Sequence, residues 1–440
     1  MVPARSRRLA AALLIGSLGT ACSSSQPATA TDPLRYLDDA SYRRANLVAS
    51  LVNPGNSYST LRLAHYATGD ANDWDLLPEW NPPAEPIAAT ELETDGGAST
   101  TRLSDAAAPL ALPDSVQSLD DPALLALGAA AFARYPAQLA PYFSVALASP
   151  AAASHYGLWV DESRGVGGLV RARMADGSVA IALTCSTCHA APGADLAIAP
   201  GLPNHQLNVG AALLDTPGSS VEPLTASAVA AWGPGRLDVT TAAGTEPARI
   251  PDLRPAQWLT YLQQDATLRV IDRATLAIRI ETLIITSNEE LVRPARIVAL
   301  ALASYVASLA QRLPSSEAAA SASPRGAAVF GAQCAGCHVP PALTGAPVPI
   351  PVVGTDPTLG LSSVRGTGTY RVPSLHGVGS RGPLLHDGTV PSVDAMFDPA
   401  RTTSSFEGKL HGSGAVRGHT YGLDLPGDDR SALVDYVKAL

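Results

Sequence analysis

The stretch GAAVFGAQCAGCH, residues 326–338, organises the C-terminal part of this 440-residue chain. A related arrangement lies upstream, where GAAAF (128–132) precedes TCSTCH (184–189) at a greater distance. Both arrangements end in two cysteines that are separated by two residues and followed directly by a histidine. Four of the five cysteines in the chain belong to these two motifs, so the motifs decide most of what the sequence predicts.

A second pattern also occurs twice. ALASYVASL (301–309) recurs as ALVDYVKAL (432–440), and in both copies the apolar residues recur at helical spacing. Each cysteine motif lies between one copy of the glycine–phenylalanine pattern and one copy of this helix. The shared order predicts a unit that is used twice: a helix, a cysteine motif, a long middle segment and a terminal helix.

Composition indicates where these units begin and end. LPSSEAAASASP (313–324) is a stretch of low hydrophobicity, and residues 82–114 are rich in Pro, Ala, Thr and Ser. Inside the first unit, residues 156–183 alternate apolar and polar side chains around ADGS, which favours a β-hairpin. We predict a signal peptide at 1–22, an N-terminal extension packed on the first domain at 31–81, a linker at 82–118, a first domain at 119–313, a linker at 314–323 and a second domain at 324–440.

The composition and the net charge narrow the class of protein. Apolar residues make up 46% of the chain and charged residues 16%, which is typical of a globular protein. A net charge of −9 argues against nucleic-acid binding, which requires a basic face.

The first residues predict export. Arg5, Arg7 and Arg8 precede a short apolar run, and LGTAC ends at Cys22. This resembles a bacterial lipoprotein signal, with Cys22 as the lipid-bearing residue and a periplasmic, membrane-anchored protein as the result. Cleavage after ATA (28–30) is the alternative and would release a soluble exported protein.

Three chemistries use paired cysteines at this spacing: a zinc site, a redox dithiol and covalent attachment of c-type haem. The histidines discriminate between them. With 9 histidines in 440 residues, both motifs would gain one by chance roughly a few times in ten thousand. We therefore predict two iron-containing haems, one held by Cys185, Cys188 and His189 and the other by Cys334, Cys337 and His338, with each histidine as an iron ligand.

The C-terminal sequence resembles a known family. The order G-x-x-x-F-x-x-x-C-x-x-C-H is similar to the start of a cytochrome c domain, and ALVDYVKAL to its terminal helix. YRVPSLHGVGSRGPLLHDGTVPSVDAMF (370–397) resembles the last third of the bacterial dihaem cytochrome c peroxidases and of the related rubber oxygenases. The resemblance covers residues 120–440 and is strongest from 324 onward. It implies a mainly α fold with two cytochrome c-like domains, a helical N-terminal extension and a small β-hairpin insertion in the first domain.

The resemblance also suggests the second axial ligand of each iron. GHTYGLDL (418–425) stands where the peroxidases carry their ligand methionine, so His419 matches best for the second haem and Met396 is the alternative. His386 is expected to fix a loop or face a haem propionate, and His376 and His411 are further candidates. For the first haem the candidate is His205, and the alternatives are Met174, His155, an open site, or a surface role for His205.

Two functions fit these motifs. The first is single-electron transfer among redox protein partners, and the second is a peroxidase-like or oxygenase-like enzyme with the first haem as the reactive centre. The chain lacks the Phe-Trp-Asp-Gly-Arg-like stretch of the peroxidases; WGPGRLDV (232–239) is the nearest segment, and Asp238 or Arg236 could serve there. Trp232 and Trp258 could pack in the core or bridge the haems. We favour electron transfer and assign no catalytic residue, while a structural zinc lipoprotein is a third possibility.

Overall fold

The computed structural model describes residues 32–440 except 95, 175, 219–224, 239–243, 314 and 413. The predicted signal peptide, the proposed lipid-bearing Cys22 and the alternative cleavage site at 28–30 lie outside the described residues. Residues Pro33–Leu440 form one compact unit.

The regular elements are short and numerous. The α-helices of the described residues are α1 (Ala40–Ser50), α2 (Ser57–His65), α3 (Pro122–Arg134), α4 (Pro150–His155), α5 (Cys185–His189), α6 (Val209–Asp215), α7 (Ala226–Ala230), α8 (Arg273–Ser287), α9 (Arg296–Ser308), α10 (Ser316–Ala322), α11 (Pro324–Gln333), α12 (Ile350–Val353), α13 (Val393–Met396) and α14 (Gly427–Ala439). The strands are β1 (Glu79–Trp80), β2 (Ala84–Pro86), β3 (Gln138–Leu139), β4 (Val160–Asp161), β5 (Gly165–Val166), β6 (Leu169–Arg173), β7 (Val179–Leu183), β8 (Ala190–Pro192), β9 (Ile198–Pro200), β10 (Arg236–Leu237), β11 (Ala248–Arg249), β12 (Tyr261–Leu262), β13 (Leu268–Arg269), β14 (Arg293–Pro294), β15 (Val348–Pro349) and β16 (Thr369–Tyr370). Turns of 3₁₀ helix occupy Pro33–Tyr36, Trp74–Leu76, Ala89–Glu93, Pro141–Leu147, Arg254–Trp258, Leu309–Arg312, Val378–Ser380 and Pro399–Thr402.

The strands form several small sheets. Strands β6 and β7 pair antiparallel, and β2 and β3 extend them into a four-stranded sheet of order β2-β6-β7-β3. The hairpin expected around ADGS is therefore present, at the centre of this sheet. The other strands pair two by two over two or three residues, and among the strands of the described residues only β1 and β14 run parallel.

The expected fold class is wrong. The structure is 40% helical and 12% strand with several small sheets, so it is a mixed α/β fold and not a mainly α protein with two cytochrome c-like domains. The sequence concealed these strands because most contain two or three residues, too few for an alternating pattern to be recognised. Part of the segment expected as a linker at 82–118 contributes β2 to the main sheet, and α10 lies within the linker expected at 314–323.

The two copies of the repeated pattern form matching helix pairs, α3 with α9 and α11 with α14. Each pair crosses at a glycine. A Cβ atom at Gly128 would overlap the carbonyl oxygen of Ala301, and one at Gly326 would overlap the carbonyl oxygen of Ala432. Only glycine permits this close approach of the two backbones.

An aromatic pair fills the space beside each crossing. The rings of Phe132 and Tyr305 have centroids 5.4 Å apart, and those of Phe330 and Tyr436 have centroids 5.2 Å apart. Both distances lie in the favourable range for aromatic pairs. The first pair belongs to the largest hydrophobic cluster and the second to the cluster of the C-terminal part.

The variant Gly326→Ala is expected to lower the free energy of unfolding by about 1–3 kcal/mol, the usual cost of overpacking a well-packed contact. The added methyl group would overlap the Ala432 carbonyl oxygen and approach Tyr436. Gly331→Ala is the matched control in the same helix, because no atom lies within 4 Å of its added methyl group. The control is expected to gain about 0.5–1 kcal/mol from helix propensity. Urea unfolding measures both variants, and equal changes would contradict a close crossing at Gly326.

The N-terminal extension is folded against two other parts of the chain. The hydroxyls of Tyr36 and Tyr66 donate to the carboxylate of Glu281 on α8 at 2.8 and 2.6 Å. Glu281 is 1% exposed, and burial raises the pKa of this carboxyl group. The backbone N–H groups of Ser57 and Tyr58 donate to the carbonyls of residues 363 and 364. The extension therefore ties the middle of the chain to its C-terminal part.

One helical stretch of the described residues, Arg296–Ala322, is long and apolar enough to cross a membrane. In its most apolar window, 69% of the residues are buried inside the protein. The buried core helix of a globular protein has the same properties, and α9 occupies that position here.

Candidate functional site

A cavity of about 370 Å³ lies beside the second cysteine motif. Cys334, Cys337 and His338 form one part of its wall, and most of the remainder is apolar, including Phe330 from α11 and Val437 from α14. Ligand and cofactor sites commonly have volumes of about 300–1,000 Å³ and mainly apolar walls. The cavity is therefore large enough for a cofactor at this motif.

Backbone hydrogen bonds hold the second motif against the cavity. The N–H of Cys334 donates to the Phe330 carbonyl at 2.8 Å, and the N–H of His338 donates to the Cys334 carbonyl at 2.9 Å. The chain thus continues in turns after α11. The Nδ1 atom of His338 lies 3.1 Å from the Leu343 carbonyl oxygen. In the tautomer that donates this hydrogen bond, Nε2 keeps a free lone pair, as a metal-binding histidine requires.

The imidazole of His419 lies opposite that of His338 in the same cavity. Their ring centroids are 6.4 Å apart, with an angle of 64° between the ring planes. Two imidazoles on one metal ion would have centroids roughly 6 Å apart, because a histidine nitrogen lies about 2.0–2.1 Å from a metal. Burial lowers the pKa of both His338 and His419 to about 4, so both rings are neutral near pH 7. The separation and the protonation state fit a pair of axial ligands.

The loop that carries His419 is held by Arg401, which is fully buried. Its guanidinium donates to the carbonyls of His419 at 2.6 Å, Val416 at 2.9 Å and Gly418 at 3.1 Å. Its Nε donates to the Met396 carbonyl at 2.8 Å. His419 itself has a φ of +43°, an uncommon conformation for a residue with a side chain. Sequence reasoning missed Arg401, because no local pattern distinguishes it from a surface arginine.

Three arginines, Arg249, Arg371 and Arg381, also line the cavity, and the described lining residues include no aspartate or glutamate. Burial, together with repulsion between neighbouring guanidinium groups, lowers the pKa of all three to about 10. The Nε atoms of Arg371 and Arg381 are buried without a hydrogen-bond partner. Another guanidinium nitrogen of each donates to a neutral partner, Gln264 for Arg371 and the Ser374 carbonyl for Arg381. A buried cation that has only neutral partners is costly, so this part of the wall suits an anionic group such as a carboxylate.

The other ligand candidates of the C-terminal part occupy different places. Met396 and His386 line the cavity, whereas His376 and His411 are absent from its described lining. The ring of His376 packs on Trp258 with centroids 4.1 Å apart, which gives Trp258 a packing contact between the middle of the chain and its C-terminal part. Met396 is buried close to His419, because Arg401 bonds to the carbonyls of both residues.

The first cysteine motif forms the short helix α5. Burial raises the pKa of the Cys185 and Cys188 thiols to about 12 and lowers the pKa of His189 to about 4. The Nδ1 atom of His189 lies 3.0 Å from the Pro251 carbonyl oxygen. The histidine of each motif therefore has its Nδ1 against a backbone carbonyl, and each can present Nε2 to a metal.

His205 lies near the first motif, because the N–H of the preceding residue, Asn204, donates to the Cys188 carbonyl at 2.8 Å. Its Nδ1 is buried without a partner, and burial lowers the pKa of His205 to about 4. Among the described residues, however, no ring contact joins His189 and His205, whereas one joins His338 and His419.

The remaining candidates near the first motif have packing contacts. Met174 packs against the hydrophobic cluster that Cys185 also contacts, and the ring of His155 lies 4.8 Å from that of Tyr156. The guanidinium of Arg236 donates to three backbone carbonyls, and Trp232 donates to the Gly244 carbonyl. Arg236 and Trp232 thus have structural partners.

The geometry gives little support to a zinc site or a redox dithiol, the two alternative uses of the paired cysteines. Among the described residues, no group of three or more His, Cys, Asp or Glu could hold a metal ion, whereas structural zinc needs four ligands. Reactive dithiols have lowered pKa values, but burial raises the pKa of Cys185 and Cys188 to about 12 and of Cys334 to about 11. A haem iron needs only two axial ligands from the protein, so it requires no such group.

No protein-family model matches the chain, and a search of curated proteins finds no match either. The resemblance to the dihaem peroxidases and rubber oxygenases therefore stays a prediction from the motifs, and the function has to be inferred from the geometry of the site.

Proposed function

We propose that this chain is an exported electron-transfer protein that carries two covalently attached c-type haems. The observation that carries the proposal is the pair of neutral imidazoles, His338 and His419, 6.4 Å apart across a cavity that both cysteines of the second motif line. A haem held there supplies a reversible one-electron couple. The thiols of Cys334 and Cys337 would hold the porphyrin edge through thioether bonds.

The rest of the cavity fits the same group. A haem carries carboxylates, and the guanidinium groups of Arg371 and Arg381, whose Nε atoms have no partner, would bind them together with Arg249. The apolar walls exclude water, which strengthens these charge interactions. If His338 and His419 both bound the iron, they would leave no coordination position for a substrate, which would suit an electron carrier.

The first motif would hold the other haem through Cys185, Cys188 and His189, with His205 as the proposed second ligand. A second candidate function depends on this site: an enzyme of the peroxidase-like or oxygenase-like kind that uses the first haem as its reactive centre. Its supporting observation is that none of the histidine ring contacts among the described residues involves His189, whereas one joins His338 and His419.

Location and partners follow from the N-terminal sequence. A lipid on Cys22 would anchor the protein to a bacterial membrane in the periplasm, and cleavage at 28–30 would release it there. In either case the partners would be redox proteins, and nucleic acid is not expected because the net charge is −9.

Haem content and spin state test the proposal. We expect two haems per chain by the pyridine haemochrome assay after expression in a host that attaches c-type haem. Low-temperature electron paramagnetic resonance should show a low-spin signal from the second site. A colourless protein would contradict the proposal. A high-spin signal from the first site, with turnover of peroxide, would favour the enzyme.

A further inference from the structure

Three arginines from distant parts of the chain lie close together outside the cavity of the second motif. Arg62 belongs to α2 in the N-terminal extension, Arg279 to α8, and Arg365 to the loop before β16. None of them is in the described lining of that cavity. We call these three residues the arginine cluster.

Hydrogen bonds bring the members of the arginine cluster together. The Nε of Arg62 donates to the Thr282 hydroxyl at 3.1 Å, and Arg279 lies three residues before Thr282 on the same face of α8. The first turn of α2 donates backbone hydrogen bonds to the carbonyls of residues 363–364, directly before Arg365. Burial, together with repulsion from Arg279 and Arg365, lowers the pKa of Arg62 to about 10.

The negative charge near the cluster lies mainly beside Arg365. The Oδ2 of Asp265, which is fully buried, lies 3.3 Å from the Nε of Arg365, and Arg365 also attracts Glu246. Asp265 attracts Arg279 only at longer range. Among the ion pairs of the described residues, none includes Arg62 or Arg279. These two arginines therefore lack a carboxylate of their own.

The hydrogen bonds of Arg62 end on neutral groups, because its Nη1 donates to the Tyr58 carbonyl at 3.1 Å and its Nε to the Thr282 hydroxyl. The Nη1 of Arg279 is buried without a hydrogen-bond partner. A buried cation that has only neutral partners is costly. The space between Arg62 and Arg279 therefore suits a negatively charged ligand.

The Tyr58 hydroxyl adds a neutral donor beside the two cations. Tyr58 is 9% exposed, and the Arg62 guanidinium stacks on its ring, 3.5 Å from the centroid. The hydroxyl is buried without a hydrogen-bond partner. A phenol can donate one hydrogen bond, and guanidinium groups bind oxyanions through charge-assisted N–H bonds. Together these donors match the several acceptor oxygens of phosphate or sulfate.

We propose that Arg62, Arg279 and the Tyr58 hydroxyl bind a small inorganic oxyanion such as phosphate or sulfate. Because Arg62 and Tyr58 are buried, the ligand is a free ion and not a lipid headgroup, and the half-buried Arg279 connects the site to solvent. The bound ion ties α2 to α8 and so fixes the N-terminal extension. The inference is independent of the proposed function, since no residue of either cysteine motif takes part.

Isothermal titration calorimetry of the whole purified protein with inorganic phosphate, and separately with sulfate, tests the site. Chloride at the same ionic strength is the control for screening of surface charges. We expect saturable binding of about one ion per chain and a urea midpoint that rises with phosphate concentration, because a ligand of the folded state stabilises it. Arg279→Gln should weaken the affinity about tenfold or more, the effect of losing a charge-assisted hydrogen bond.

Arg269→Gln is the matched control, since it removes the same charge from an exposed arginine of β13 and should leave the affinity unchanged. Tyr58→Phe keeps the ring under Arg62 and should weaken binding roughly twofold to tenfold, so it decides the question if Arg279→Gln folds poorly. The site is wrong if the wild type shows no saturable binding, or if phosphate binds a folded Arg279→Gln or Tyr58→Phe as tightly as the wild type. Loss of binding in Arg371→Gln instead would place the ion in the cavity of the second motif and would also overturn the proposal.

Discussion

The variant Arg401→Met is expected to lose at least about 3 kcal/mol of unfolding free energy, because each buried carbonyl left without a donor costs about 1–3 kcal/mol. Arg401 is fully buried and donates to the carbonyls of four residues, Met396, Val416, Gly418 and His419. Methionine has a similar length but no donor. The loop that holds His419 should therefore loosen, and the second haem should lose its homogeneous low-spin signal.

The control is Arg417→Met, an exposed arginine of the same loop. Surface substitutions usually change stability by less than about 0.5 kcal/mol, so this variant should behave as the wild type in urea unfolding and in electron paramagnetic resonance. If the two variants were equally stable and equally low-spin, Arg401 would not organise the ligand loop.

Local signals explain what the sequence predicted well. The glycine–phenylalanine pattern and the terminal helices depend on helical spacing, so the four helices α3, α9, α11 and α14 were recognisable from residues close together in the chain. The aromatic contacts within each pair join residues far apart and were not. The hairpin β6–β7 was recognisable as well, because its two strands of five residues are rich in apolar residues and flank the turn residues ADGS. A pattern that repeats within a few residues can be recognised without knowledge of the tertiary structure.

The small sheets could not be predicted from the sequence, for a physical reason. A strand of two residues such as β11 has no period of its own and is formed by its partner across the sheet. The mixed α/β fold depends on many such pairs, so an expectation built on the helices alone gave the wrong class. Residues 84–86 illustrate this, because their pairing with β6 was invisible in a segment rich in proline and alanine.

The site was predictable only in part. The cysteine motifs and His419 were identified from spacing and resemblance. The structure places His338 and His419 in one cavity with ring centroids 6.4 Å apart, while ligation by His419 stays a prediction. Arg249 and Arg401 were missed, because each acts through contacts with residues distant in the chain. Arg249 is 85 residues before Cys334, and only the fold places it in the cavity wall.

The variant His419→Met is expected to raise the reduction potential of the second haem by more than 59 mV, a tenfold change in the equilibrium constant of a one-electron step. A thioether ligand stabilises the reduced iron relative to a second imidazole, so histidine–methionine ligation gives higher potentials. The new side chain would stand in the same place, because the backbone there is held by the Arg401 guanidinium and by a 2.6 Å hydrogen bond from the residue 419 N–H to the Val353 carbonyl. Redox titration with electron paramagnetic resonance measures both the shift and the change of ligand.

Met396→Leu decides between the two ligand candidates in the same cavity. Met396 lines the wall and is 7% exposed, and leucine preserves its volume at a cost below about 1.5 kcal/mol. If His419 binds the iron, Met396→Leu keeps the wild-type potential and spectrum, since it alters only packing. If Met396 were the ligand, Met396→Leu would open the iron to solvent and produce a high-spin signal, while His419→Met would leave the potential near its wild-type value. Under each ligand assignment, only the variant of the ligand itself has an effect, and the other variant resembles the wild type. The two variants together therefore identify the ligand even if one of them attaches less haem.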